Sequence, residues 1–213
     1  MTEKKKETKK VDFKKDYKAL FSPSAKEPEI IEVPAFKYIM IDGEGNPNTS
    51  TDFQDKVQVL YGLSYTIKFM LKQDKEHPFD YAVAPLSGLW HADDLFAFAE
   101  ERKDEWQWTL MIMQPDPVTA EVFQLAKEKL IQKKNPPFVN EAYLKIFEEG
   151  LCAQIMHFGP YDKEGPTIAK LHAFFQEKGY TFNGRHHEIY LGDPRKSKPE
   201  KLKTIIRQPI KKK

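Results

Sequence analysis

An acidic residue sits in a strand-like stretch near the end of the chain: Glu188, in His186-His187-Glu188-Ile189-Tyr190-Leu191-Gly192-Asp193-Pro194-Arg195. Strand side chains alternate between faces, so Ile189 and Leu191 share one face and Glu188 and Tyr190 the other. If the aliphatic face meets the helices, Glu188 and Tyr190 line the opposite surface. A carboxylate buried there without partners is costly. Two readings stand side by side: an exposed glutamate on a solvated sheet face, and a pocket carboxylate that pairs with a ligand cation or orients a water.

The aromatic residues bear on that choice. Trp106 and Trp108 alternate onto one face of their strand, Trp90 follows Pro85-Leu86-Ser87-Gly88-Leu89, and Tyr161 sits in a turn. On pocket walls such rings stack on a planar ligand or cage a cation; in a core they only fill space. Three tryptophans at strand ends and loops are hard to assign to core filling alone. No metal is expected, because His186 and His187 point to opposite faces and the other histidines show no ligand spacing. Cys152 is mid-strand with nothing placed to make a thiolate. Gly43 and Gly45 lack the third glycine of a dinucleotide loop, and no cofactor is expected.

The elements that must position these residues follow from periodicity. Residues up to about Pro28 read as a loosely attached, flexible basic arm, with Asp12–Leu20 a possible short helix. Ile30 to Ile41 reads as a strand bent at Pro34. Thr51 with Gln54 is a capping box opening a helix to about Lys72, with Phe53, Val57, Leu60, Tyr61, Ser64, Ile67 and Leu71 on its apolar face. Tyr81–Leu86 and Trp106–Met113 read as strands, Asp116-Pro117 opens a second helix, and Asn140–Glu149 reads as a shorter helical piece. Then the pattern returns: strand Leu151–Phe158, turn Gly159-Pro160-Tyr161-Asp162, helix Pro166–Lys178 closed by Gly179, and strands His187–Leu191 and Thr204–Ile210. Thr109-Leu110-Met111-Ile112-Met113-Gln114-Pro115 is echoed by Thr204-Ile205-Ile206-Arg207-Gln208-Pro209. The expectation is an α+β fold of duplicated βαββ repeats, residues 29–115 and 151–210 joined by helices in 116–150, with a ligand cleft at the seam.

Composition narrows the partners. With 34 Lys+Arg against 32 Asp+Glu the formal charge of the 213-residue chain is only +2, so no single-sign field is implied. Lysines 4, 5, 6, 9 and 10 and 211–213 cluster at the ends, where a nucleic-acid contact would need a basic face instead. One cysteine fits a reducing compartment. No apolar stretch approaches the roughly 20 residues of a membrane span and no signal peptide is seen, so a cytoplasmic protein is expected, without membrane or direct nucleic-acid partner.

Several strings resemble the GyrI-like small-molecule-binding family, in particular its stand-alone branch: Ser24–Pro28, Tyr38–Pro47, Leu60–Lys68, Trp108–Pro115, Glu148–Asp162 and His186–Ile206. The resemblance implies two SHS2-like βαββ repeats forming a curved antiparallel sheet, with helices on one face and a ligand in the cleft. It also implies a flat hydrophobic or cationic small molecule as partner, bound around a strand glutamate that Glu188 matches. Some stand-alone members are cyclopropanoid cyclohydrolases, which hold a DNA-alkylating compound in an aromatic cage while water opens its activated cyclopropane, a detoxification. Others bind without catalysis or shield a topoisomerase. By that likeness Glu188 and Tyr161 are the catalytic candidates, and Trp90, Trp106, Trp108, Tyr190 and Tyr61 the ligand-binding ones. Related sequences often read Pro-Leu-Glu-Gly-Leu-Trp-Trp where this chain has Pro85-Leu86-Ser87-Gly88-Leu89-Trp90-His91, which puts catalysis in question more than binding.

Overall fold

Pro34 does not bend one strand but separates two that go to different parts of the sheet. The structure, a computed structural model, describes residues 10–93 and 102–213, so lysines 4, 5, 6 and 9 lie outside the described residues. β1 (Glu29–Val33), β2 (Phe36–Glu44), β3 (Leu86–His91), β4 (Gln107–Gln114), β5 (Tyr143–Phe147), β6 (Gly150–Phe158), β7 (Tyr180–Phe182), β8 (His186–Tyr190) and β9 (Lys203–Lys212) form one open sheet. Its order is β1-β6-β9-β8-β3-β4-β2-β5, with β7 on the end of β9. Every pairing between these strands is antiparallel. The class is α+β; β2, α3 (Thr51–Lys72), β3 and β4 follow one another in the first half, and β6, α5 (Gly165–Glu177), β7, β8 and β9 in the second, which carries the additional short strand β7. β3 and β8 meet at the middle of the sheet.

Four elements differ from expectation. Asn140–Glu149 is not helical: a single 3₁₀ turn (Val139–Glu141) leads into β5, which pairs along β2. Helical spacing in that segment yields to the hydrogen bonds β2 offers. Tyr81 makes only an isolated bridge with Val11, and the strand begins at Leu86. The helix after Asp116-Pro117 is α4 (Ala120–Lys133), capped by Thr119, whose side chain accepts from the Val122 amide; α3 likewise is capped by Ser50 accepting from Phe53, one residue before the expected box.

Both faces of the sheet are covered. α3 brings Val59, Leu60, Leu63 and Ile67, all fully buried, onto one half, and α5 brings Leu171 and Phe175 onto the other. The reverse face is covered by the arm. Residues 10–28 are packed rather than loose: Phe13 (at the start of α1, Phe13–Asp16), with Leu20 and Phe21 in α2 (Lys18–Phe21), are buried. The Leu20 carbonyl accepts from Arg207, Ala19 from Gln154, and Ser24 from the Met156 amide. Apolar burial in the arm offsets the entropy of ordering it.

Candidate functional site

Register fixes what faces what. Trp108, Trp90 and His186 stand opposite one another across β4, β3 and β8; one row along come Leu110, Gly88, Glu188 and Ile206, and then Tyr190 stands opposite Thr204, itself opposite His157. Phe53 of α3 stacks on Trp90 (6.3 Å between centroids) and meets Trp108 edge-on (5.0 Å), and Thr167 of α5 is 2.9 Å from His157 Nδ1. The face of Glu188 and Tyr190 is therefore the helix-covered one, at the seam between the halves that α3 and α5 cover, and Ile189 faces the arm. Glu188 and Tyr190 share one face and Ile189 takes the other, as alternation predicts, but the condition that the aliphatic face meets the helices is not met. The reason is that the arm supplies a second apolar layer.

Around Glu188 the polar atoms form a chain. Trp90 Nε1 donates to the Tyr190 hydroxyl (3.0 Å), which donates to Glu188 Oε2 (2.8 Å). Gly88 leaves room for this: a Cβ there would lie 3.1 Å from Trp90 Nε1, tight enough that the indole would have to shift by a few tenths of an ångström. His186 Nε2 lies 3.2 Å from Glu188 Oε1, an ion-pair distance without hydrogen-bond alignment, and the Glu188 side chain is 16% exposed. Tyr161 closes one wall, its ring 5.4 Å from that of Tyr190 and edge-on, and Trp106 meets Trp90 at 5.7 Å. Tyr61 lies near the Leu86 backbone and close enough to Tyr161 to act on it electrostatically.

A second carboxyl completes the cluster. Glu164, only 3% exposed, lies beside Glu188 and Thr204, yet its Oε1 and the Thr204 hydroxyl are buried without a hydrogen-bond partner. Two adjacent carboxylates cannot bond each other unless one carries a proton. Burial, then the Glu188 charge, pushes the Glu164 carboxyl up to about 9. Burial also works against ionised Glu188, but His186, Tyr190 and Glu164 outweigh it and hold Glu188 below the usual carboxylate range. At neutral pH the pair shares one proton, kept on Glu164, and presents one negative charge. Burial and then Glu188 raise Tyr190 far above an ordinary phenol, and burial with Glu164 and Glu188 raises Tyr161 to about 12, so both are neutral donors.

Of the seven residues expected at the site, Glu188, Tyr190, Trp90, Trp106, Tyr161 and Tyr61 come together at the cleft. Trp108 does not join them: it is 1% exposed, packed flat over Gly43, donates to the Gly45 carbonyl (3.2 Å) and borders a different cavity. Glu164 was missed because it occupies the N-cap of α5, where Ser, Thr, Asp or Asn is the rule; a glutamate that makes no cap bond there is the signal that could have found it. Ser87 is opposite Ile189 and Met111 on the arm side, bonded to the Met111 carbonyl, so a carboxylate lost at this position is not lost from the cleft. A separate cavity of about 590 Å³ lies at the far ends of β2 and β4, lined by groups such as Asp42, Lys56, Glu141 and Arg185. It is polar, and Lys56 and Asp42 already spend their bonds on Glu141, Thr109 and Tyr143.

Aromatic rings gathered around a buried carboxyl pair suit a small-molecule site, and the GyrI-like small-molecule-binding domain matches residues 26–211. The chain belongs to that family. Similar solved structures include an uncharacterised conserved protein from Listeria innocua (41% identity, TM-score 0.88) and a hydrolase from Listeria innocua (40%, 0.83); both comparisons cover 95% of this chain and all of the other. The EcmrR C-terminal domain shares the fold alone, at 11% identity and TM-score 0.54, over 88% of this chain and 98% of that one. No curated protein matches the chain in sequence. Among the described residues no helix is long and apolar enough to cross a membrane.

Proposed function

We propose that this GyrI-like domain holds a flat hydrophobic electrophile between Trp90, Trp106, Tyr61 and Tyr161 and opens a strained ring in it by adding water, the cyclopropanoid hydrolysis of a DNA-alkylating compound. The observation that carries the reading is the adjacent carboxyls of Glu188 and Glu164 beside the Tyr190 hydroxyl, set among aromatic rings. Glu188, oriented by Tyr190, takes a proton from water as the water oxygen bonds to a cyclopropane carbon. The C–C bond of the ring breaks, its electron pair moves to the conjugated carbonyl oxygen, and the Tyr161 hydroxyl donates to the charge developing there. General-base action contributes about 10²–10⁴-fold and a donor at the oxyanion a comparable factor. That homologous hydrolase structures exist at 40% identity supports the reaction class.

One observation favours a non-catalytic reading: an ionised carboxylate ringed by aromatics also suits a planar cation. A single experiment separates the two. Purified wild type and Glu188→Gln are incubated with a cyclopropanoid alkylator and consumption is followed. Loss of about 10²–10⁴-fold in Glu188→Gln supports hydrolysis; equal consumption by both refutes it, and tryptophan quenching by hydrophobic cations without any turnover leaves the binding module.

A further inference from the structure

Carboxylate and phenol at the Glu188 site are one tyrosine apart. Tyr190 donates to Glu188 Oε2 at 2.8 Å and packs edge-on against Tyr161, ring to ring, at 5.4 Å. Glu188 also acts on Tyr161 through space: burial first, then Glu164 and Glu188, raise its hydroxyl to about 12. Tyr161 is 38% exposed, so that hydroxyl is open to a substrate while Glu188 lies deeper. Trp90 and Trp106, meeting at 5.7 Å, offer the ring surface on which an aryl group stacks. A base, a neutral donor and an aromatic wall therefore stand within the span of a small molecule.

Two kinds of strained ring ask different things of such a pair. In a cyclopropane conjugated to a carbonyl, the electrons of the breaking bond leave along the conjugated path, to an oxygen remote from the carbon that water attacks. The product anion is an enolate or a phenolate, and a phenol has a pKa of about 10. Tyr161 holds its proton more tightly than that, so it hydrogen-bonds to the anion without protonating it. In an epoxide the leaving oxygen is bonded to the attacked carbon, and base and acid must act on neighbouring atoms. The leaving alkoxide is about as basic as hydroxide, whose conjugate acid, bulk water, has a pKa of about 15.7, and it takes the Tyr161 proton outright. We propose that this site also hydrolyses epoxides carried on a flat aromatic group, with Glu188 as base and Tyr161 as acid. Glu188 takes a proton from water as the water oxygen bonds to an epoxide carbon. The C–O bond breaks, its electron pair stays on oxygen, and Tyr161 gives that oxygen its proton. The proton now on Glu188 returns through solvent to the Tyr161 phenolate, the much stronger base, and a diol leaves with the protein unchanged.

Epoxide opening rests on the hydrolytic role proposed for Glu188 but not on the cyclopropanoid substrate, and one set of proteins tests both. Wild type, Glu188→Gln and Tyr161→Phe are incubated with styrene oxide, and phenylethanediol is measured by liquid chromatography against a protein-free blank. Consumption of a cyclopropanoid alkylator is followed in parallel. The expected result is diol formation by wild type well above the blank, falling about 10²–10⁴-fold in each variant. If wild type consumes the cyclopropanoid but forms no diol, the epoxide proposal is overturned and the first reading is untouched. Diol without cyclopropanoid consumption does the reverse: epoxide opening stands and the cyclopropanoid reading fails. If neither substrate is consumed, both fall. Diol formed at the wild-type rate by either folded variant also overturns the proposal, because the turnover then does not use this pair. Circular dichroism checks the fold of each protein. Tyr161→Phe removes one hydroxyl from a part-exposed ring, so it still decides the matter if Glu188→Gln does not fold.

Discussion

Glu164→Gln isolates the shared proton. The amide keeps the shape of the carboxyl and can still donate to Glu188, but cannot ionise. In the folded protein Glu164 holds its proton to about pH 9, against 4.5 for an ordinary glutamate. Between those limits the unfolded chain has released this proton and the folded one has not, so the unfolded state binds one proton fewer. Stability then falls as pH rises, by about 1.4 kcal/mol per pH unit for one proton. The contribution is fully present below about pH 4.5 and is lost as pH rises towards 9. From pH 6 to 8, inside that window, wild type is expected to lose about 3 kcal/mol relative to Glu164→Gln. Other titrations are common to both proteins and cancel. Urea denaturation at pH 6, 7 and 8 measures the difference directly. Parallel stability profiles for the two proteins would refute a proton held on Glu164, and with it the single charge of the cleft.

Phe21→Ala, in the arm, is expected to cost about 3 kcal/mol as a buried large-to-small change, measured by urea denaturation; a loosely attached arm would give a change within about 0.5 kcal/mol. Ser87→Ala removes one hydrogen bond on the reverse face and should cost about 1 kcal/mol while leaving ethidium affinity unchanged in a fluorescence titration. Gly43→Ala would place a Cβ 2.1 Å from the Trp108 ring, so thermal unfolding should show a loss of about 1–3 kcal/mol from overpacking.

How far the molecule was legible in its sequence depends on which kind of information each residue carries. Strand alternation tied Glu188 to Tyr190 and separated His186 from His187 correctly, because it is a local property of extended backbone. Which face met the helices was not local: it depended on Phe13, Leu20 and Phe21 returning from the far end of the chain to cover the other side. β5 was misread as helix for a similar reason, since the edge of β2 that claims Tyr143–Phe147 is about a hundred residues away. Trp108 shows the limit of composition. A tryptophan near a turn fits a wall or a core equally well, and the bare Gly43 on the neighbouring strand decided for the core. Glu164 was hidden because helix-capping rules describe what stabilises a helix end, whereas this residue gives up its cap bond to lie beside Glu188.

On the proposed reading, the same pair lets binding and hydrolysis share a single cleft. If both carboxyls were ionised, two adjacent charges in an aromatic, poorly hydrated site would repel each other and exclude any neutral ligand. If both were protonated, no base would remain. One proton on the buried member leaves a single anion on the member that borders the cleft. To a planar cation, that anion is a counter-ion, and binding leaves the site neutral. To a neutral electrophile it stays uncompensated, with Tyr190 orienting it and water as its available proton source. The charge of the ligand, rather than any change in the protein, then decides whether Glu188 pairs or reacts. Hydrophobic cations are accordingly expected to inhibit hydrolysis competitively, raising KM without lowering kcat; inhibition that lowers kcat alone would place the cation elsewhere.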